Sequence, residues 1–222
     1  MGNLNFAVLW QFKDALAKGL LVTVELSVVC SILGMLLGFA IAMGRTCRFR
    51  ALRSVTALYV EILRGLPVLV TLFWVFFCLP VILHVELGTF VSSVIALTLY
   101  MGAVTSETFR SALKGVGRDQ MDACNALGLS SFVRSVFVIA PQAVIRSIPN
   151  LLSNTVSLFK ESALASAVGM VELMFTAQNI SNTTSRPVEV LTTSALIYFV
   201  IGFVLTRVVN RVEVRILHRI QT

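Results

Sequence analysis

The chain has 222 residues, of which 57% are hydrophobic and only 13% charged, with a mean hydropathy of +0.88 and a net charge of +7. Soluble domains run at roughly 45–50% apolar, so this composition excludes an ordinary water-soluble domain. At about 20 apolar residues per crossing it leaves room for five or six transmembrane helices and little else. The basic residues stand in blocks between apolar runs, as cytoplasmic loops of membrane proteins do, which speaks against a nucleic-acid partner.

The first residues lack a basic stretch followed by a short apolar core and a cleavage site, so the first apolar run is expected to remain as a span. That span reads 19–43 and is followed by Arg45, Arg48, Arg50 and Arg53, which set its C-terminal end in the cytoplasm and the N-terminus outside. Cys30, Gly34, Gly38 and Ala42 recur every fourth residue, a small-residue ridge suited to close packing within the chain or between two copies. Glu25 lies in the same run. An uncompensated charge there costs about 3 kcal/mol, so it is expected to face protein or water.

The second span, 62–83, contains Arg64-Gly65-Leu66-Pro67, where proline removes a donor and glycine relaxes the backbone, so a bend is expected. The third span, 87–106, leads into a basic cytoplasmic segment with Arg110, Lys114, Arg118 and Arg134. The fourth, 145–170, carries Arg146, Pro149, Asn150, Asn154, Lys160 and Glu161. A lipid-facing helix would not hold that set, and a broken helix lining a protein-enclosed path would. The polar stretch 178–187 reads as an external loop and 188–209 as the last span. Arg207, Arg211, Arg215, His218 and Arg219 then put the C-terminus in the cytoplasm. The fold class is all-α integral membrane, about five transmembrane helices in one domain, 1–222, with a cytoplasmic loop at 110–141.

No GxxxxGK[ST] loop, GxSxG elbow or HExxH pair occurs, so neither nucleotide hydrolysis nor another enzymatic activity is expected of this chain. Cys30, Cys47, Cys78 and Cys124 have no metal-binding spacing and read as small buried hydrophobes, with no metal site. The notable cytoplasmic segment is 117–129. Asp119 can cap a short helix with Asp122 at its third position, and Met121, Cys124 and Leu127 then share one face. Such a stub packs on its own domain or docks a cytoplasmic partner.

Within it, Asp122, Ala123, Cys124, Gly128, Val138, Ala140 and Pro141 stand at the spacing E-A-A-x(3)-G-x(9)-I-x-L-P. This resembles the EAA loop of the membrane permease subunits of ABC-type, binding-protein-dependent importers. Asp122 replaces Glu, which keeps the charge and shortens the reach. Glu61-Ile62-Leu63-Arg64-Gly65-Leu66-Pro67 is similar to the E-x-x-R-G-x-P segment of the polar amino-acid branch. Tyr100 through Arg110, with Glu107, is similar to its segment before the EAA loop. Leu158 through Leu164 is similar to its L-x-K-[DE]-[ST]-S-L block, with Ala163 in place of a hydroxyl residue.

The resemblance implies a MetI-like permease fold in a bacterial inner membrane. It implies as partners a second permease subunit, identical or not, two cytoplasmic ATP-binding subunits and a periplasmic or extracellular solute-binding protein. ATP and Mg would bind those ATPase subunits, with no cofactor on this chain. Asp122, Ala123, Cys124, Leu127, Gly128 and Pro141 would form the ATPase-docking region. Arg64, Lys160, Glu161 and Ser162 would line the path of a polar amino acid: glutamate, glutamine, cystine or a basic one. A zwitterion needs partners of both signs in a low-dielectric site, and Lys160 beside Glu161 supplies them. Glu61 with Arg64, and Glu107 with Arg110, stand at i,i+3 spacing and read as structural charge pairs. The alternative is a secondary transporter or channel subunit not coupled to ATP.

Overall fold

A computed structural model describes residues 6–47 and 49–221, and among these the chain is helical with no strand. Arg48 of the first basic block lies outside the described residues, as do the side chains of Arg118, His218 and Arg219. A short helix α1 (Ala7–Gln11) leads into α2 (Lys13–Thr46), which extends beyond the 19–43 run at both ends. Then come α3 (Arg50–Gly65), α4 (Val68–Leu83), α5 (Thr89–Lys114) and α6 (Arg118–Ala126). The long α7 (Ser131–Val168), α8 (Leu173–Thr184) and α9 (Pro187–Gln221) complete the chain. Among the described residues four helices, α2, α5, α7 and α9, are long and apolar enough to cross a membrane. The count rises to five if the bent pair α3 and α4 is one span.

The core is built on α2 and α5, and the small-residue ridge explains why. A Cβ at Gly34 would press on Met101, and one at Gly38 would collide with Thr105 Oγ1 and the Gly102 carbonyl. Close approach lets the Thr105 hydroxyl reach the Gly34 carbonyl at 2.9 Å across the contact. The ridge is therefore an internal seam, and Cys30, Leu26, Leu97 and Met101 close the buried core around it with Leu72 and Val75 of α4 and Leu158 of α7.

The bend expected within 62–83 is present, while other expectations change. The chain bends by 109° at Leu66-Pro67, so residues 62–65 belong to α3, and a π-helical turn at Trp74–Cys78 interrupts α4 as well. The helix after the basic segment does not break at its prolines: Ala140–Glu161 is continuous through Pro149, preceded by a π turn at Arg134–Ile139 and followed by 3-10 turns at Ser162–Val168. The expected loop 178–187 is mostly helix α8. Glu172 caps it by accepting from the Phe175 N–H at 2.8 Å, and Leu173, Ala177 and Ile180 are buried on one face. Glu25 is exposed on α2 of this single chain. Cys78, expected to be buried, is exposed, while Cys30 and Cys124 are buried.

Candidate functional site

At the basic end of the bundle, α6 is a nine-residue helix whose caps are both made by backbone. Gly117, not Asp119, occupies the N-cap; Asp119 sits in the first turn, where its charge complements the helix dipole. At the other end Gly128 adopts φ +66, the left-handed region glycine enters at little cost. The Leu129 N–H then donates to the Cys124 carbonyl at 3.1 Å, and the Gly128 N–H to the Asn125 carbonyl at 3.0 Å, the paired bonds of a Schellman stop.

The side chains of α6 divide by face. Cys124 is buried, so it anchors the helix to its own chain, whereas Asp122 and Ala123 are exposed and Leu127 is 75% exposed. Three hydrogen bonds tie this stub to α7 and its approach. Arg134 donates to Asn125 Oδ1 at 2.7 Å, Gln142 to Gln120 Oε1 at 3.3 Å, and Arg146 to the Gly115 carbonyl at 2.6 Å. Pro141 lies just past the π turn at Arg134–Ile139, inside α7. Beneath the π turn an apolar groove of about 450 Å³ opens between α2, α5 and α7, walled by Phe39, Phe109 and Val136.

One carboxylate organises the nearby charges. Glu107 Oε2 accepts from Arg45 Nη1 at 2.8 Å and from Arg110 Nε at 2.9 Å, and Arg64 Nη1 stands 3.9 Å away. The expected Glu61–Arg64 pair is not formed, because Arg64 turns toward Glu107 on the neighbouring helix; Glu61 is exposed and makes no ion pair among the described residues. One turn on, Asn154 of α7 donates to Thr108 Oγ1 at 3.0 Å, which couples α7 to the same end of α5.

Further along α7, Glu161 Oε1 accepts from the Tyr100 hydroxyl at 3.2 Å, and its other oxygen is buried without a hydrogen-bond partner. Ser162 is fully buried; its hydroxyl donates to the Phe159 carbonyl at 2.8 Å and lies 3.5 Å from Ser27 Oγ. Lys160 is exposed on a different side, its stem lying against Gly202 of α9. The structure thus brings Glu161 against Tyr100, leaves Arg64 beside Glu107 and lays the Lys160 stem against α9. Among the described residues no three His, Cys, Asp or Glu side chains come together as a metal site.

A second organising carboxylate is Glu172. Fully buried, it also accepts from the Tyr198 hydroxyl at 2.7 Å and faces Thr23 Oγ1 at 3.1 Å, joining α2, α8 and α9. An acidic residue just before Leu173, Ala177 and Ile180, which repeat at helical spacing, is the signal that could have revealed this role.

The profile of the family described as "Binding-protein-dependent transport system inner membrane component" matches residues 34–218. The chain belongs to this family. Among curated relatives, the L-cystine transport system permease protein TcyB of Bacillus subtilis (strain 168) is 34% identical over 220 residues, covering 96% of this permease and 94% of its own length. The putative glutamine transport system permease protein GlnP of Rickettsia conorii (strain ATCC VR-613 / Malish 7) is 32% identical over 198 residues, 89% of this permease and 91% of that relative. A solved structure described as an amino acid ABC transporter with histidines superposes with a TM-score of 0.92 at 27% identity, covering 96% of this permease and all of that chain. The permease is accordingly a multi-pass membrane protein of the transport component type.

Proposed function

We propose that this permease translocates a polar amino acid across a bacterial inner membrane as part of an ATP-driven importer, itself neither binding nor hydrolysing ATP. The relatives named for cystine and glutamine transport, and the neighbour solved with histidines, support the substrate class. In this reading the N-terminus is outside, the C-terminus is cytoplasmic, and spans near 19–43, 87–106, 145–170 and 188–209, with the bent pair, form one domain. A second permease subunit, two ATP-binding subunits carrying ATP and Mg, and an external solute-binding protein complete the assembly.

The observation that carries the reading is the exposure of Asp122, Ala123 and Leu127 on a stub that is rigidly stopped and hydrogen-bonded to α7. A docked ATPase would push on α6, and α7 carries the displacement. Arg134 and Glu161 belong to the same run of helix, about 40 Å apart at ~1.5 Å per residue. Movement at the foot therefore arrives at the Tyr100–Glu161 contact, where a buried carboxylate oxygen awaits a donor such as a substrate ammonium. Cys124, Gly128 and Pro141 shape this docking region, and Asp122, Ala123 and Leu127 touch the partner.

Reconstitution with the cognate ATPase and binding proteins tests it. Amino-acid-dependent ATP hydrolysis is expected, and it should be lost in an Asp122→Lys variant that still inserts. Normal coupling in that variant would sink the docking assignment, and uptake without nucleotide would favour a secondary transporter.

A further inference from the structure

Beyond the apolar part of α9 the sequence places Arg207, Arg211 and Arg215 at every fourth residue, with Arg219 next in the same series. On a helix the first three fall within one face, about 6 Å apart along the axis. All three are exposed, none is within ion-pair distance of an acidic side chain among the described residues, and Glu213 projects from the opposite side of the helix. With Asn210 and Val214 they line an open groove of about 410 Å³. Arg207 stands 4.9 Å from the centre of the Phe203 ring, and Phe203 stacks on Phe199 at 5.8 Å.

What lies immediately above on the same face decides the partner. Leu196, Phe199, Val200 and Phe203 are exposed there and run straight into the arginine stripe. A surface that is apolar over a membrane depth and then cationic, with an aromatic ring at the junction, matches one molecule with an acyl tail and an anionic head. An ATPase subunit would meet the cationic part alone. A two-fold contact centred on the stripe would set like charges against each other. We propose that this face of α9 binds an anionic phospholipid, its phosphate held by Arg207 and Arg211 with Arg215 adding field, and an acyl chain lying along Phe199 and Phe203. Each basic side chain near a charged leaflet favours anionic lipid by about five-fold.

The full-length permease would be placed in phosphatidylcholine vesicles containing spin-labelled phosphatidylglycerol or spin-labelled phosphatidylcholine, and the motionally restricted fraction of each label measured. Preferential restriction of phosphatidylglycerol is expected. It should fall by about five-fold for each arginine lost across single Arg207→Gln and Arg211→Gln variants, and persist in the Lys replacements. Equal restriction of the two lipids in the wild type would overturn the proposal, as would full selectivity in both Gln variants. An Asn210→Cys variant adds an independent reading. Cross-linking between two copies through that cysteine, or its shielding from a water-soluble thiol reagent only when ATPase subunits are added, would show a protein on this face instead of a lipid.

Discussion

Arg134 and Asn125 are joined at 2.7 Å, so the end of the exposed stub and the foot of the longest apolar helix are fastened by a single charge-assisted hydrogen bond. Being exposed, this bond adds no more than about 1 kcal/mol to folding. Arg134→Ala should leave the melting temperature nearly unchanged and lower amino-acid stimulation of ATP hydrolysis several-fold, with basal hydrolysis kept. Comparing stimulated with basal rates in vesicles checks this; equal loss of both would place the bond outside the coupling route.

Leu127, the C-cap residue of α6, is 75% exposed and contributes little to the fold. Leu127→Asp should shift stability by no more than about 0.5 kcal/mol. Burial of that side chain against a partner is worth about 2 kcal/mol, so ATPase binding should weaken roughly thirty-fold. Titration of the ATPase subunit onto detergent-solubilised permease reads it directly.

The α2–α5 seam leaves no room at Gly38. Gly38→Val should destabilise the bundle by about 3 kcal/mol or more, because Thr105 and the Gly102 carbonyl must both give way. Pairing Gly38→Ala with Thr105→Ala should recover part of the loss of Gly38→Ala alone, since one of the two obstacles is then removed. Thermal unfolding of the four proteins in one detergent completes the cycle.

Removing Glu172 strands the Tyr198 hydroxyl and the Phe175 N–H in a partly buried place. Glu172→Ala should cost roughly 3 kcal/mol, and Glu172→Gln, which keeps one carbonyl acceptor, clearly less. If both variants unfold together at the wild-type temperature, the residue is not the clasp between α2, α8 and α9.

Much of this architecture was legible because it rests on apolar length and on breakers. The runs around Gly34 and Ala96, and the Gly65-Leu66-Pro67 interruption, all appear as helices or as a bend. What was illegible depended on neighbours distant in sequence. Arg64 stands three residues from Glu61, the spacing of a helical pair, yet a carboxylate on α5 already gathering Arg45 and Arg110 draws it away. Asp119 and Asp122 fit a capping pattern, but the backbone of Gly117 starts the helix earlier. The Asn- and Thr-rich stretch after Gln178 looks like solvent-loving loop until the buried cap at Glu172 gives it a helical start. Within the site, exposed Leu127 and buried Cys124 differ by three residues, and only the packing of α6 tells which of them turns outward.

The sharp bend at Leu66-Pro67 leaves α4 a rise of only about 24 Å at ~1.5 Å per residue, against a hydrocarbon layer of ~30 Å. A helix so short cannot match the bilayer by tilting, which only shortens its reach. With the bent pair as one span, the deficit is met by the end of α3, by thinning of the lipid beside α4 or by protein covering its ends. Hydrophobic mismatch thus concentrates beside α4, and bilayer thickness becomes a variable to which this helix, and the transport rate with it, should respond.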